Sequence, residues 1–340
     1  MSWSESIDTS SMRSMVAGFP QLLKSSRPND NLVQEAVRMH ERGIDGILLL
    51  GMGGSAIAGE ICKAYLHDET TTPILSVRDY TLPKFINESW VTIAVSYSGN
   101  TEETLSAFRE ALVRGSSTIA FTAGGALKEE AGGTPVHNLS PGFQPRAALP
   151  MILSGLLPIL ETLAGLETTD LDTVSADIED VSSLWSGMPT TPSDLAKMAK
   201  DAVPLFIGWK HLIPVAYRAR CQMNENAKKM AFSSELPEAS HNEIEGTASC
   251  AKTPFLPIFL RSKEEDNRTQ ARIEATIDIF LANGCSPVNL DLELPSRIHE
   301  CLGYTHFLDS MSVELAEILG VDSIQVERIT ELKKKLENET

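Results

Sequence analysis

Trp90-Val91-Thr92-Ile93-Ala94-Val95-Ser96-Tyr97-Ser98-Gly99-Asn100-Thr101 is the stretch of this 340-residue chain from which the fold is read. Trp90 to Ser96 is apolar and β-branched and has the length of a strand. Thr101 to Val113 then shows helical spacing at Leu105, Phe108 and Leu112. A continuous apolar strand running into a helix predicts a parallel sheet covered on both faces. Outward from this stretch, Gly46 to Leu50 is a strand, followed by a helix over Ala56 to Leu66. Pro73 to Val77 and Ser117 to Phe121 are further strands, and Val136 to Leu139 a weaker one.

The pattern restarts in the second half. Strands are expected at Val203 to Ile207, Phe255 to Leu260 and Pro287 to Leu290. Helices are expected at Ala216 to Met230 and Arg272 to Ala282, and Ser312 to Leu319 is the core of another. Leu50-Gly51 and Ile207-Gly208 both run a strand into a glycine turn, a faint internal repeat. The expected fold is α/β, two copies of one fold, each a parallel sheet flanked by helices. Residues 1–30 read as an N-terminal extension and 31–165 as the first domain. Residues 166–195 are rich in Thr, Ser and Asp and read as a connecting segment with some helix. Residues 196–340 read as the second domain with a terminal helix.

Composition narrows the function. Hydrophobic residues make up 42% and charged residues 22%, as in a folded globular protein. The 29 basic and 46 acidic residues give a formal charge of −17, which argues against nucleic acid or an anionic membrane as partner. The N-terminus has neither a basic start nor an apolar run, so no signal peptide is expected there. The most apolar run, Ala147 to Leu160, is about 14 residues long against the ~20 of a membrane span, and reads as a buried helix. Cys62, Cys221, Cys250, Cys285 and Cys301 are scattered and never spaced Cys-x-x-Cys. They read as reduced core thiols of a cytoplasmic protein. With seven histidines, neither His-Glu-x-x-His nor a compact Cys/His cluster occurs, so no zinc site is expected.

Two turns have the makings of an anion site. Gly51-Met52-Gly53-Gly54-Ser55 follows a strand and opens a helix, where free N–H groups and close backbone approach favour a phosphate. Its spacing matches neither the dinucleotide fingerprint nor a Walker loop. The serine turn places hydroxyls of Ser96, Ser98 and Thr101 around a second helix start. A helix cap by Asn100 or Thr101 would explain one of these residues but not all three hydroxyls. Taken alone the glycine turn could equally be a tight strand-to-helix turn; the expected phosphate-binding set is Gly53, Gly54, Ser55, Ser96, Ser98 and Thr101. At a Debye length of ~8 Å, local donors outweigh the global negative charge.

The serine turn resembles the phosphosugar motif of the sugar isomerase (SIS) domain. The glycine turn, continued as Ala56-Ile57-Ala58-Gly59-Glu60, resembles the bifunctional phosphoglucose/phosphomannose isomerase family. The likeness extends through Phe121-Thr122-Ala123-Gly124-Gly125-Ala126-Leu127 and Pro145-Arg146-Ala147-Ala148. It continues in Asn224-Glu225-Asn226-Ala227-Lys228, Pro237-Glu238-Ala239-Ser240-His241-Asn242-Glu243-Ile244 and the tail from Leu332-Lys333. These segments run over most of the chain from about residue 45, in the family's order.

The resemblance implies two SIS-type (flavodoxin-like) domains, a homodimer, and an aldose–ketose isomerase. It would interconvert glucose 6-phosphate, and mannose 6-phosphate, with fructose 6-phosphate through an enediolate, without metal or cofactor. It implies Glu225 as the catalytic base, His241 in ring opening and donated across the dimer interface, Arg146 as the cation beside the enediolate, and Lys333 as an aid to ring opening. Spacing alone also allows blander roles. Glu225 could pair with Lys229 on a helix surface, worth ~0.2–0.5 kcal/mol. His241 could be incidental to a Ser240-x-x-Glu243 capping box, and Arg146 a surface charge. The chemistry suits the first roles: a carboxylate can carry a proton between C1 and C2, imidazole titrates near neutrality, and a fixed cation stabilises an oxyanion. A phosphosugar-sensing regulator of the same fold, or an SIS isomerase for another sugar phosphate, are the alternatives. Only an enzyme needs Glu225, His241 and Arg146 together, and the Asn-Glu-Asn and Ser-His-Asn-Glu segments disfavour other sugars.

Overall fold

The computed structural model describes residues 7–250 and 252–337. Three helices, α1 (Met12–Ala17), α2 (Phe19–Ser25) and α3 (Asp30–Glu41), precede the first sheet. That sheet contains β1 (Gly46–Leu50), β2 (Ile74–Val77), β3 (Trp90–Val95), β4 (Ser117–Thr122) and β5 (Val136–Asn138). The order is β2-β1-β3-β4-β5, parallel throughout. Helix α4 (Gly53–Leu66) follows β1, α5 (Glu102–Val113) follows β3, and α6 (Gly125–Glu130) follows β4. Every residue of β1 and β3 is buried, which is why both read as unbroken apolar runs.

Helix α7 (Leu149–Leu163) leads on to α8 (Leu171–Leu184) and α9 (Pro192–Ala199). The second sheet contains β6 (Val203–Trp209), β7 (Phe232–Leu236), β8 (Phe255–Leu260) and β9 (Val288–Leu290) in the order β7-β6-β8-β9, again parallel. With it go α10 (Ile213–Glu225), α11 (Asn267–Ala282), α12 (Arg297–Leu319) and α13 (Glu327–Glu337). Strands β1 and β6 hold corresponding places in their sheets, but the glycine turn expected after Ile207 does not form: Gly208 lies inside β6, paired with Glu235, and the strand runs on to Trp209.

Two stretches are more integral than the sequence suggests. Within residues 1–30, α2 buries Phe19, Leu22 and Leu23 against α7 and α8. Within the expected connecting segment, α8 packs on α2 and α12 and buries Leu171, Val174 and Ile178. Helix α12 begins at Arg297, well before the expected core at Ser312, and contributes Ile298, Cys301, Leu302 and Val313 to the first core and Tyr304, Phe307 and Met311 to the second. The short strand β7 was not foreseen; its sequence Phe-Ser-Ser-Glu-Leu is too polar to signal one. Helix α7 is buried on almost all sides, as its composition required. All five cysteines are free thiols. Among the described residues no helix is long and apolar enough to cross a membrane.

Candidate active site

The two donor-rich turns meet at the carboxyl ends of β1 and β3, which are hydrogen-bonded neighbours. From β1 the sheet continues to β2 on one side, and from β3 to β4 on the other. This reversal opens a crevice where α/β sheets bind ligands. Helices α4 and α5 both begin there, and neither N-terminus has a side-chain cap. Thr101 occupies the cap position of α5, but its Oγ1 is 3.0 Å from Ser96 Oγ instead. Asn100 Oδ1 accepts from Ala126 N at 3.0 Å, tying the serine turn to the segment after β4. The capping role allowed to Asn100 or Thr101 is thus not taken up. First-turn N–H groups of both helices, with hydroxyls beside them, are left for an anion.

The turns are locked together. Tyr97 N donates to Ser55 Oγ at 3.3 Å, and Asn100 N donates to Ser98 Oγ at 3.3 Å. Gly99 has φ +71°, and a Cβ there would lie 1.8 Å from the Gly124 carbonyl oxygen, so no other residue fits. Gly53 also has positive φ, at +53°.

Arg146 and Glu225 come together beside the glycine turn. Arg146 Nη1 lies 3.9 Å from Glu225 Oε2; the Arg146 side chain is 4% exposed and that of Glu225 29%. That separation exceeds a hydrogen bond, so neither group is consumed by the other. Burial holds the Arg146 pKa below its ordinary value, with the Glu225 carboxylate acting in the opposite direction. The backbone of Arg146 is fixed by Arg218 Nη2, which donates to the Arg146 carbonyl at 2.9 Å. Arg218 is itself held in a bidentate pair with buried Asp309 at 3.0 and 2.6 Å.

Glu225 reaches this place because α10 stops there. The expected helix to Met230 ends early: Lys228 has φ +53°, and its Nζ donates to the Glu225 carbonyl at 2.6 Å, satisfying an orphan helix-end acceptor. The surface pair of Glu225 with Lys229 does not form, since Lys229 Nζ donates to the Lys200 carbonyl at 2.9 Å.

Comparison with known proteins places the chain. The model of the bacterial phospho-glucose isomerase C-terminal SIS domain matches residues 190–336. A bifunctional phosphoglucose/phosphomannose isomerase of Aquifex aeolicus is 33% identical over 295 residues, covering 86% of this chain and 90% of that one. The chain belongs to the bifunctional phosphoglucose/phosphomannose isomerase family. A second relative of that name, from Caldicellulosiruptor bescii, is 33% identical over 314 residues, 88% of this chain and 92% of its own. A D-glucosamine-6-phosphate 4-epimerase of Sulfolobus acidocaldarius is 36% identical over 270 residues, 75% of this chain and 85% of its own. In fold, the chain is similar to the tagatose-6-phosphate ketose/aldose isomerase of Escherichia coli, with TM-score 0.70, 14% identity, and 94% and 96% of the two chains covered.

The structure does not bring every expected residue to Arg146 and Glu225. His241 is exposed at the end of the 3-10 turn Glu238–His241, just beyond β7. Among the described residues it makes no hydrogen bond to Arg146, Glu225 or either turn. The capping box is not made: Ser240 Oγ is buried without a hydrogen-bond partner among the described residues, and Asn242 Oδ1 accepts from Glu243 N at 2.5 Å. Lys333 is exposed on α13. Its link to the site is indirect, because Arg146 Nη2 donates to the carbonyls of Ser323 and Ile324 in the turn that leads into α13.

Sequence reading missed Asn226, whose Oδ1 accepts from Arg146 Nε at 2.7 Å. The sequence signal for it is the run Asn224-Glu225-Asn226 itself, since asparagine is a poor helix former. A cavity of about 640 Å³ lies elsewhere, between the C-terminal half of α4 and the start of α10, lined by Glu60, Asp68, Lys210 and Arg297 among others. Acidic neighbours already engage its cations: Asp68 lies 3.9 Å from Lys210 and 3.3 Å from Arg297. It touches neither turn, nor Arg146, nor Glu225.

Proposed function

We propose that this protein is an aldose–ketose isomerase that interconverts glucose 6-phosphate and mannose 6-phosphate with fructose 6-phosphate. The reading rests on one observation above others: a buried cation and a partly exposed carboxylate, 3.9 Å apart and not hydrogen-bonded to each other, against the uncapped start of α4, to which Tyr97 ties the serine turn. The helix starts and the hydroxyls of Ser55, Ser96, Ser98 and Thr101 hold the phosphate, with Gly53 and Gly54 giving it backbone access. Glu225 takes the proton from C2 of the open-chain aldose and returns it to C1, the O1 and O2 protons being redistributed to give the ketose. Arg146 Nη1 stabilises the negative oxygen of the enediolate between the two transfers. Either C2 epimer gives the same enediolate, so one base serves glucose and mannose substrates provided the site admits both C2 configurations.

His241 opens the sugar ring. Because it stands exposed away from Glu225, it acts on the site of a second copy in a homodimer. Lys333 assists from the tail. The protein works in the cytoplasm, in carbohydrate metabolism, where glycolysis and gluconeogenesis use this interconversion.

The epimerase relative supplies a second reading, inversion at C4 of glucosamine 6-phosphate. Proton transfer between C1 and C2 does not itself invert C4, so one assay separates the two. Purified protein, treated with chelator, is incubated separately with glucose 6-phosphate, mannose 6-phosphate and glucosamine 6-phosphate. Fructose 6-phosphate should form from both of the first two. Turnover of glucosamine 6-phosphate alone, to its C4 epimer, would replace this reading with the other. Binding of sugar phosphates without turnover would favour a regulator.

A further inference from the structure

The hydrogen bonds of Arg146 are distributed unevenly. Nε donates to Asn226 Oδ1 at 2.7 Å, and Nη2 donates to the carbonyl oxygens of Ser323 and Ile324 at 2.5 and 2.9 Å. Among the described residues Nη1 has only Gln144 Oε1, at 3.4 Å, and it lies 3.9 Å from Glu225 Oε2. Every bonded acceptor is neutral. The guanidinium is therefore held firmly at two nitrogens with no carboxylate hydrogen-bonded to it among the described residues, and Glu225, 3.9 Å from Nη1, is the carboxylate paired with it.

Asn226 is itself fixed. It is fully buried, and its Nδ2 donates to Ser312 Oγ at 2.9 Å. Ser312 Oγ spends its own proton on the Asp309 carbonyl at 2.6 Å, so it can only accept from Asn226. Arg146 Nε can only donate. Together these partners permit one orientation of the Asn226 amide, oxygen toward Arg146 and nitrogen toward Ser312.

We propose that Asn226 is a positioning residue for the isomerisation: its uncharged carbonyl aims Arg146 Nη1 at the substrate oxygen beside Glu225 and leaves the guanidinium charge whole. This rests on the isomerase reading above. Aspartate has nearly the same shape and would grip Nε as well, but it would pair with the charge that the enediolate needs. The oxyanion exists only after the proton has left carbon, so the effect belongs to kcat. The turns that hold the phosphate do not include Asn226, so KM should not carry it.

The test measures kcat, KM for fructose 6-phosphate and thermal midpoint for the parent protein, Asn226→Asp and Ser312→Ala. Asn226→Asp should lower kcat by about 50-fold or more, with KM within about threefold; the oxygen that replaces Nδ2 loses the bond to Ser312 Oγ, so the midpoint falls while a cooperative folding transition is kept. Ser312→Ala, which frees the amide to turn, should lower kcat by roughly three- to tenfold at unchanged KM. If Asn226→Asp does not fold, Ser312→Ala decides by the same split. The proposal is overturned if Asn226→Asp keeps kcat within about threefold of the parent, if the loss falls on KM, or if Ser312→Ala matches the parent while Asn226→Asp cannot fold. A parent protein that turns over no hexose phosphate overturns the isomerase reading and this proposal with it; an active parent indifferent to Asn226→Asp overturns this proposal alone.

Discussion

Gly54 sits directly against Arg146: a Cβ added at Gly54 would lie 3.3 Å from the Arg146 Cα and 3.2 Å from the Pro145 carbonyl oxygen. Backbone, not a flexible side chain, fills that space. The close approach joins the turn that starts α4 to the segment carrying Arg146, so the phosphate grip and the cation share one scaffold. Gly54→Ala should push them apart by a few tenths of an ångström. The expected result is a fall in kcat/KM of about tenfold with unchanged far-ultraviolet circular dichroism, since misplacement of reacting groups is costly even without unfolding.

Thr101 offers a cleaner probe of the anion site. Its hydroxyl, 3.0 Å from Ser96 Oγ, does not cap α5. Thr101→Val keeps the shape and removes the hydroxyl. Losing one neutral donor should cost about 1 kcal/mol, raising KM for sugar phosphates roughly fivefold while leaving kcat almost untouched. Steady-state kinetics with fructose 6-phosphate distinguish this from a structural defect, which would lower kcat as well.

The first helices are part of the core. Phe19 is 1% exposed and its ring lies 5.1 Å from that of His306 on α12. Phe19→Ala should destabilise the fold by ~3–5 kcal/mol, the range for emptying a buried aromatic site. Urea unfolding at neutral pH measures it. A dispensable extension would show almost no change.

His306 makes the fold sensitive to acid. It is buried between Phe19 and Trp185, and burial lowers its pKa from 6.5 to about 3. Its neutral form is favoured in the folded state, so the stability it contributes is complete above the unfolded pKa and is lost as pH falls from 6.5 toward about 3. Within that window the loss approaches ~1.4 kcal/mol per pH unit. His137, pushed down to about 4 by burial, acts in the same direction. His306→Phe should flatten the dependence of unfolding free energy on pH between 6 and 4, measured by denaturant titration relative to the parent.

Much of the fold was legible because β1 and β3 are buried on both faces and their sequences have no polar alternation to confuse with helix. The two turns were legible for a related reason: glycines and hydroxyls cluster where strand ends meet helix starts. Helix α12 was half hidden. Its N-terminal part buries Glu300 and Asp309, which in sequence resemble solvent-facing charges. Glu300 accepts from Ser262 Oγ at 2.7 Å and Lys263 N at 3.0 Å and lies 2.6 Å from His211 Nε2. Those partners come from other elements and leave no local pattern. The same holds at the site. Glu225 has a plausible helical neighbour in Lys229, and only the left-handed turn at Lys228 removes it. The proximity of Arg146 to Glu225 and Asn226 is set by packing between the two halves, which no spacing records.

The most direct test is Glu225→Gln, compared with the parent for kcat on fructose 6-phosphate and for thermal midpoint. The account predicts a fall in kcat of ~10²–10⁴ with the midpoint and KM little changed, because the amide keeps the shape and cannot accept the carbon-bound proton. A folded Glu225→Gln protein with kcat within about threefold of the parent would contradict it.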